Sequence, residues 1–259
     1  MSHAFHVWNG VHQNFRDVVV SGSGFAGDRW VEMSFARLRE MQSNGDAGLP
    51  SFNSSLLVVA AAAVTNSPEE VVRVLDFGGG AALTYTELRK GLGDQTRVDY
   101  HIVENPALVE RARRELAPDR SLTFHERFPD SLDRVHIVHS QSALQYIENW
   151  KDVVERLVAY DAEYIVLTDV PAGRFPSYAT AQTFCESAIP HWFFNLDEVI
   201  ASVQRGRYDL VLKSRHLARV LGVYGGYPQD NFPADLRIGM PYNLLFRRRM
   251  AVPAPDARP

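Results

Sequence analysis

The stretch Val71–Tyr85 (VVRVLDFGGGAALTY) constrains the fold most, because a β-branched run ends in an acidic residue and three glycines and then changes to helical periodicity. An apolar run without polar alternation is typical of a parallel strand that is covered on both faces. The glycines at 78–80 let the backbone turn sharply and come close to a ligand, and a helix predicted from about Ala82 directs its N-terminal amides at the same place. The stretch therefore predicts a nucleotide-type ligand site.

Spacing within the stretch separates two families of nucleotide-binding proteins. The dinucleotide fingerprint places glycines at its first, third and sixth positions, with Gly or Ala tolerated last. Counting from Gly78, Gly80 is third but Leu83 is sixth, where helix, strand and pyrophosphate must approach closely. This departure counts against the interpretation as a nicotinamide-dependent oxidoreductase, which stays open as an alternative. The residues Asp76, Gly78, Gly80 and Ala82 form an acidic residue followed by alternating small residues. They resemble motif I of the class I S-adenosylmethionine-dependent methyltransferases. Only the last position departs from that motif, with alanine in place of glycine.

The next predicted strand, Val98 to Val103, ends in Glu104. A carboxylate at that strand end can accept hydrogen bonds from both ribose hydroxyls, and its distance from the glycine turn, somewhat over the ~20 residues expected, suits either nucleotide class. Asn105 and Pro106 follow as predicted N-cap and first helical residue of the next helix.

Composition limits the partners and the location. Net charge is −4 and the pI is about 6.1, which gives no global field to attract nucleic acid or an anionic membrane, so we predict neither partner. Cys185 is the single cysteine, and the longest apolar run, Leu56 to Val64, is far below the roughly 20 residues that span a bilayer. The sequence predicts a soluble, cytoplasmic protein and leaves a homodimer among the open alternatives.

After the glycine turn, predicted strands and helices alternate, as in a doubly wound, mostly parallel α/β sheet. The predicted elements are strands Leu122–His125, Val135–His139 and Tyr164–Thr168, helices Lys151–Tyr160 and Leu196–Gln204, and late strands Tyr208–Ser214 and Tyr242–Arg248. Asn195 is the predicted N-cap of the last helix. Two late strands without a long helix between them predict an antiparallel last strand, which fits the Rossmann-like methyltransferase sheet and not a six-stranded dinucleotide fold.

Three segments lie outside this predicted core. Residues 1–70 are predicted to form an N-terminal helical cap, with a helix over Arg29 to Met41 and an Ala-rich helix packed under the first strand. Within the main domain at 71–250, insertions are predicted at about 171–195 and 216–241, and such long connections often carry binding residues. The proline-rich residues 251–259 are predicted to be a flexible tail.

Ligands of open α/β sheets lie outside the carboxyl ends of the strands near the switch point, so strand-end residues are the candidates. The methyltransferase resemblance implies that the third strand end lies near the adenine and the fourth beside the methyl group of S-adenosylmethionine, the predicted cofactor. The predicted cofactor-binding residues are Asp76, Gly78, Gly79, Gly80, Glu104, His125, Ser140, Gln141, Ser142 and Tyr146.

Other segments resemble a narrower group. Residues Val138–Trp150 (VHSQSALQYIENW), Trp8–Gly10 and Tyr242–Arg249 together resemble a poorly characterised group of bacterial methyltransferases that is often associated with surface-polysaccharide gene sets. The resemblance extends from about Phe5 to Arg249. It implies a reaction class, and a sugar or surface-glycan precursor as acceptor rests on this analogy alone.

The chemistry of methyl transfer requires alignment of acceptor and methyl group, and an oxygen acceptor must also lose a proton. The predicted catalytic residues are His191, in an aromatic stretch of the first insertion, and Asp169, at the fifth strand end. No metal is predicted, since His136 and His139 should project to opposite faces of a strand. We therefore predict a methyltransferase acting on O or N of a small molecule, with a non-catalytic cofactor-binding module as a further alternative.

Overall fold

A computed structural model describes residues 5–43, 54–65, 71–92, 95–116 and 118–249. The strands are β1 Trp8–His12, β2 Val71–Phe77, β3 Arg97–Val103, β4 Leu122–His125, β5 Ile137–Gln141, β6 Tyr164–Val170, β7 Ala172–Gly173, β8 Tyr178–Phe184, β9 Ser187–Asn195, β10 Tyr208–Arg215, β11 Ala218–Val220, β12 Val223–Gly225 and β13 Tyr242–Arg248. The helices are α1 Asp28–Ser43, α2 Ser55–Val64, α3 Leu83–Gly91, α4 Pro106–Glu115, α5 Trp150–Ala159 and α6 Leu196–Gln204. The tail predicted at 251–259 lies outside the described residues.

The central sheet has seven strands in the order β10-β13-β6-β5-β2-β3-β4. Strands β2 to β6 run parallel, whereas β13 lies antiparallel between β6 and β10. The predicted doubly wound, mostly parallel sheet with an antiparallel last strand is therefore confirmed. A dinucleotide fold would continue with parallel strands there, so the topology does not support the oxidoreductase alternative.

Strand β2 is covered on both faces, as its unbroken apolar run predicts. Val72 and Val74 pack in one buried cluster with α2, which contributes Leu57 and Ala61. Leu75 packs on the opposite face, in a second cluster with side chains of α5 and α6. The Ala-rich helix α2 thus belongs to the buried core that contains β2, and it contacts β5 and β6 of the same sheet.

The N-terminal segment is not helical throughout. It contains α1 and α2, but β1 also pairs antiparallel with β8, within a second sheet of order β1-β8-β9-β7. The first insertion is likewise not an irregular loop, because β8 and β9 form a hairpin in which Tyr178 lies opposite Phe193. Sequence patterns missed β1 because its partner lies about 170 residues further along the chain.

A small third core orders both insertions. Trp8, Tyr178 and Phe193 pack there with Phe232 and Ile238 of the second insertion, all of them buried. The Nδ2 group of Asn231 donates to the carbonyl oxygen of Trp8 at 2.8 Å, which ties the second insertion to β1. No helix within the described ranges is long and apolar enough to cross a membrane.

Candidate functional site

A cavity of about 690 Å³ lies at the carboxyl ends of β2, β3, β5 and β6. This is the switch point of the sheet, because β2 pairs with β3 on one side and with β5 on the other. Of the predicted cofactor-binding residues, those that line it are Gly78, Gly79, Gly80, Glu104, Gln141, Ser142 and Tyr146. The cavity therefore lies where the sequence predicts the ligand.

The three glycines of the turn meet different surroundings. A Cβ atom on Gly78 would lie 2.3 Å from Cβ of Ala143, and one on Gly79 would lie 2.5 Å from Oδ2 of Asp76. Gly80 has φ +57°, and a Cβ atom there would meet no atom within 4 Å. Gly78 and Gly79 are thus required by packing within the protein, whereas Gly80 presents bare backbone to open space on the cavity wall.

Asp76, predicted to bind the cofactor, lies beneath the turn and does not line the cavity. Its carboxylate is fully buried, with the Tyr100 hydroxyl donating to Oδ2 at 2.7 Å and Nδ1 of His139 lying 2.8 Å from Oδ1. Burial and the Asp76 charge raise the pKa of Tyr100 well above its usual value. The carboxylate is therefore a structural support for the glycine turn.

Glu104 lines the cavity directly after β3, as predicted. Its Oε2 accepts hydrogen bonds from the backbone N–H of Asn105 and, at 3.0 Å, from Nδ2 of Asn105. The Oδ1 atom of Asn105 in turn accepts from the backbone N–H of Leu108 at 3.0 Å, which confirms the predicted N-cap of α4. Burial raises the pKa of Glu104, and these hydrogen bonds oppose that rise.

Two further predicted cofactor residues point away from the cavity. Ser140 is buried in β5 and its hydroxyl donates to the carbonyl oxygen of Phe77 at 3.0 Å. The Nε2 atom of His125 lies 3.0 Å from Nδ1 of His101, while the following residue, Glu126, lines the cavity. Successive strand side chains alternate in direction, so a strand end found by pattern leaves open which of two neighbours faces the ligand.

His191, predicted to be catalytic, does not line the cavity. It lies in β9 at 1% exposure, with its ring centroid 5.4 Å from that of Tyr146 and 4.9 Å from that of Phe193. Burial lowers its pKa to about 3. The ring is therefore part of the aromatic packing behind Tyr146, and the structure does not support a catalytic role.

The lowered pKa of His191 predicts a loss of stability in acid. The unfolded chain binds a proton near pH 6.5 that the folded chain does not bind until about pH 3, so stability falls as the pH drops through that window. Between pH 7 and pH 5, we expect His191 to lower the free energy of unfolding by about 2 kcal/mol. Urea unfolding at both pH values should show most of this difference disappearing in His191→Phe. An unchanged difference in that variant, or an equal change in the partly buried control variant His12→Phe, would contradict it.

Asp169 is the predicted catalytic residue that does line the cavity. It is the next-to-last residue of β6 and has a left-handed φ of +53°, and its Oδ1 accepts from the Tyr227 hydroxyl at 3.0 Å. His216 also lines the cavity, with Nε2 3.9 Å from this Oδ1 and Nδ1 2.8 Å from Oδ1 of Asn243. Sequence reasoning missed His216, Tyr227 and Asn243, although the polar Asn243 within an apolar strand was a usable signal.

The far wall of the cavity comes from segments outside the central sheet. Phe25, Trp30 and Phe184 line it, and the Phe25 ring lies 5.1 Å from Trp30, 4.7 Å from Tyr146 and 5.4 Å from Phe184 between centroids. The N-terminal segment and the β8–β9 hairpin thus close an aromatic side over the sheet. Among the described residues, no group of three or more His, Cys, Asp or Glu side chains is placed to hold a metal ion.

No protein-family model matches the chain, and no curated protein matches its sequence. Among solved structures, a Haloferax volcanii protein described as a methyltransferase, in complex with a methyltransferase activator, is similar with a TM-score of 0.52 at 12% identity, over 87% of this chain and 97% of that one. The 1,6-didemethyltoxoflavin-N1-methyltransferase of Burkholderia thailandensis, solved with S-adenosylhomocysteine, has a TM-score of 0.49 at 14% identity, over 88% of this chain and 91% of that one. The N-methyltransferase NodS of Bradyrhizobium japonicum has a TM-score of 0.46 at 11% identity, over 84% of this chain and 99% of that one. The similarity to the Haloferax volcanii structure, at 12% identity, shows the fold alone, which is the Rossmann-like fold of class I methyltransferases.

Proposed function

We propose that the protein is an S-adenosylmethionine-dependent methyltransferase that acts on O or N of a small molecule. The observation that carries this proposal is the wall formed by Gly80 and Glu104. Bare backbone at Gly80 and a carboxylate at the end of β3 line the same cavity at the sheet's switch point. Its volume of about 690 Å³ suits a nucleoside-sized ligand together with a small acceptor.

The residues present fit this cofactor. The turn at 78–80 brings the backbone against the ligand, and Glu104 can accept hydrogen bonds from both ribose hydroxyls. Glu126 follows the third parallel strand, where the methyltransferase resemblance places the adenine, and Ser142 follows the fourth, beside the reacting group. When bound, S-adenosylmethionine supplies a methyl group made electrophilic by its sulfonium. The protein's part is to align an acceptor with it and to exclude water.

The acceptor end of the cavity is mixed in character. Asp169 and His216 provide hydrogen-bonding groups, which support a hydroxyl-bearing or amine-bearing acceptor. The aromatic side made by Phe25, Trp30 and Phe184 is less polar than a wall built only for sugar hydroxyls. A sugar or surface-glycan precursor therefore rests on the sequence resemblance, with the polar residues as its structural support. We also propose that the protein is soluble and cytoplasmic and that it has no nucleic-acid partner. The net charge of −4 supports the last point.

A comparison of ligands by thermal unfolding tests the proposed function. A ligand that binds only the folded state raises the midpoint of unfolding with its concentration. We expect S-adenosylmethionine and S-adenosylhomocysteine to raise the midpoint and NAD to leave it unchanged. A shift with NAD alone would overturn the proposal, and cofactor binding without methyl transfer to any fraction of a cell extract would favour the non-catalytic module.

Replacing Glu104 by alanine should weaken the binding of S-adenosylhomocysteine by about 10- to 100-fold, because the carboxylate's hydrogen bonds to the ribose are lost. Titration calorimetry measures the change. Glu110→Ala is the matched control, since Glu110 lies in the following helix α4, where its carboxylate is exposed and paired with Arg114 at 3.0 Å. Equal affinities in both variants would show that Glu104 does not hold the cofactor.

A further inference from the structure

A polar cluster at the acceptor end of the cavity combines residues from three separate strand ends. Asp169 is the next-to-last residue of β6, His216 directly follows β10, and Asn243 lies near the start of β13, opposite Ser214 of β10. The side chain of His216 is 3% exposed and that of Asp169 is 15% exposed, and both line the cavity. The cluster is therefore nearly closed to solvent and open to the cavity.

Asn243 fixes which nitrogen of His216 carries a proton. The backbone N–H of Asp169 points to the Asn243 amide atom assigned as Oδ1, at 3.4 Å, and only an oxygen can accept from that group. The same oxygen lies 2.8 Å from Nδ1 of His216, so Nδ1 must be the donor. In the neutral ring, Nε2 then holds a lone pair.

The lone pair of His216 Nε2 faces a second acceptor. Oδ1 of Asp169 lies 3.9 Å away, which is too far for a direct hydrogen bond, and it already accepts from the Tyr227 hydroxyl at 3.0 Å. Two acceptors beside each other on a cavity wall are satisfied by a ligand group that donates hydrogen bonds. The arrangement thus selects a hydroxyl or an amine and repels an acceptor-only group such as a carboxylate.

Two residues beside the cluster have an unusual backbone conformation that hydrogen bonds hold in place. Asp169 has φ +53° and the neighbouring strand end has Ser142 at φ +52°, a conformation that non-glycine residues adopt rarely. Such residues persist where the surroundings over-determine them, and they concentrate at functional sites. Here the Asp169 N–H bond to Asn243 and the Ser142 N–H bond to the Thr168 carbonyl at 3.1 Å hold both residues.

We propose that His216 is the proton acceptor in methyl transfer, that Asn243 and Asp169 are its positioning residues, and that the acceptor molecule presents a hydroxyl or amine between Nε2 of His216 and Oδ1 of Asp169. This inference rests on the proposed function. As the bond from the acceptor's O or N to the methyl carbon forms, the carbon–sulfur bond breaks and its electron pair stays on sulfur. The proton of the O–H or N–H moves to His216 Nε2, and the Asp169 carboxylate offsets the positive charge of the imidazolium before the proton passes to solvent.

The tautomer of His216 can be measured without any acceptor. Long-range proton–nitrogen correlation spectra of ¹⁵N-labelled protein above pH 8 distinguish Nδ1–H from Nε2–H rings, and His216→Asn assigns the signal. We expect His216 to be Nδ1–H in the wild type and in Asn243→Asp, which keeps the accepting oxygen, but mixed in Asn243→Leu. A wild-type ring protonated at Nε2 would overturn the proposal.

Transfer gives the second readout. The side-chain amide of His216→Asn can still donate to Asn243 but provides no base, so its affinity for S-adenosylhomocysteine should stay within about threefold of the wild type. Single-turnover transfer of labelled methyl to catechol or benzylamine should fall by about 10²- to 10⁴-fold, with no such fall in His191→Phe. Wild-type transfer rates in His216→Asn would overturn the proposal. If the wild type transfers methyl to neither probe, the measured tautomer of His216 tests the proposal by itself. If the wild-type protein does not bind S-adenosylhomocysteine at all, that result would instead refute the proposed function.

Discussion

Replacing Gly80 by valine should abolish the binding of S-adenosylhomocysteine, weakening the affinity by more than about 100-fold. A Cβ atom at this position would meet no atom within 4 Å other than its chain neighbours, and Gly80 lines the cavity, so we expect a valine side chain to enter it. The valine would therefore occupy the space in which the proposed cofactor lies against the turn. Titration calorimetry on the purified variant, with circular dichroism to establish that it is folded, measures the effect.

The matched control is Gly222→Val. Gly222 also has a left-handed φ, +82°, and a Cβ atom there also meets nothing within 4 Å, but it lies in the exposed turn between β11 and β12. Both valines suffer a similar backbone penalty, of about 1–2 kcal/mol. We expect Gly222→Val to bind like the wild type. Binding by Gly80→Val within threefold of the wild type would show that the cofactor does not lie against this turn.

Replacing Asp76 by alanine should lower the free energy of unfolding by about 3–5 kcal/mol. The carboxylate is fully buried, and its removal leaves the Tyr100 hydroxyl and Nδ1 of His139 without an acceptor beneath the glycine turn. Because Asp76 does not line the cavity, the change acts on the support of the turn. Urea unfolding followed by tryptophan fluorescence measures it.

Asp119→Ala is the control for this effect. Asp119 also accepts a hydrogen bond from a tyrosine hydroxyl, that of Tyr85, but its residue is exposed. We expect a loss of about 1 kcal/mol or less, since water replaces the lost partner. A loss in Asp76→Ala that is no larger than in Asp119→Ala would contradict the structural role given to the buried carboxylate.

The parts of the fold that could be predicted are those fixed by local chemistry. The apolar run of β2 and the glycines after it carry their conformation in neighbouring residues, and both predicted N-caps, Asn105 and Asn195, accept from backbone N–H groups as expected. The antiparallel pairing of β10 and β13 also followed from the missing helix between them. These features need no knowledge of distant contacts.

The rest depends on geometry that one-dimensional patterns do not contain. Ser140 and His125 lie at the predicted strand ends but point away from the cavity, because the pleat determines the direction of each side chain. His216 reaches Asp169 only through the pairing of strands distant in sequence. His191 was predicted to be catalytic from its aromatic surroundings, and those surroundings are what bury it.

Calorimetric titration of the wild-type protein with S-adenosylhomocysteine tests the central claim most directly. The wall formed by Gly80 and Glu104 predicts saturable binding of one ligand molecule per chain, which Gly80→Val abolishes and Gly222→Val retains. Absence of binding heat at several temperatures, with protein that circular dichroism shows to be folded, would contradict the claim that this cavity is a cofactor site.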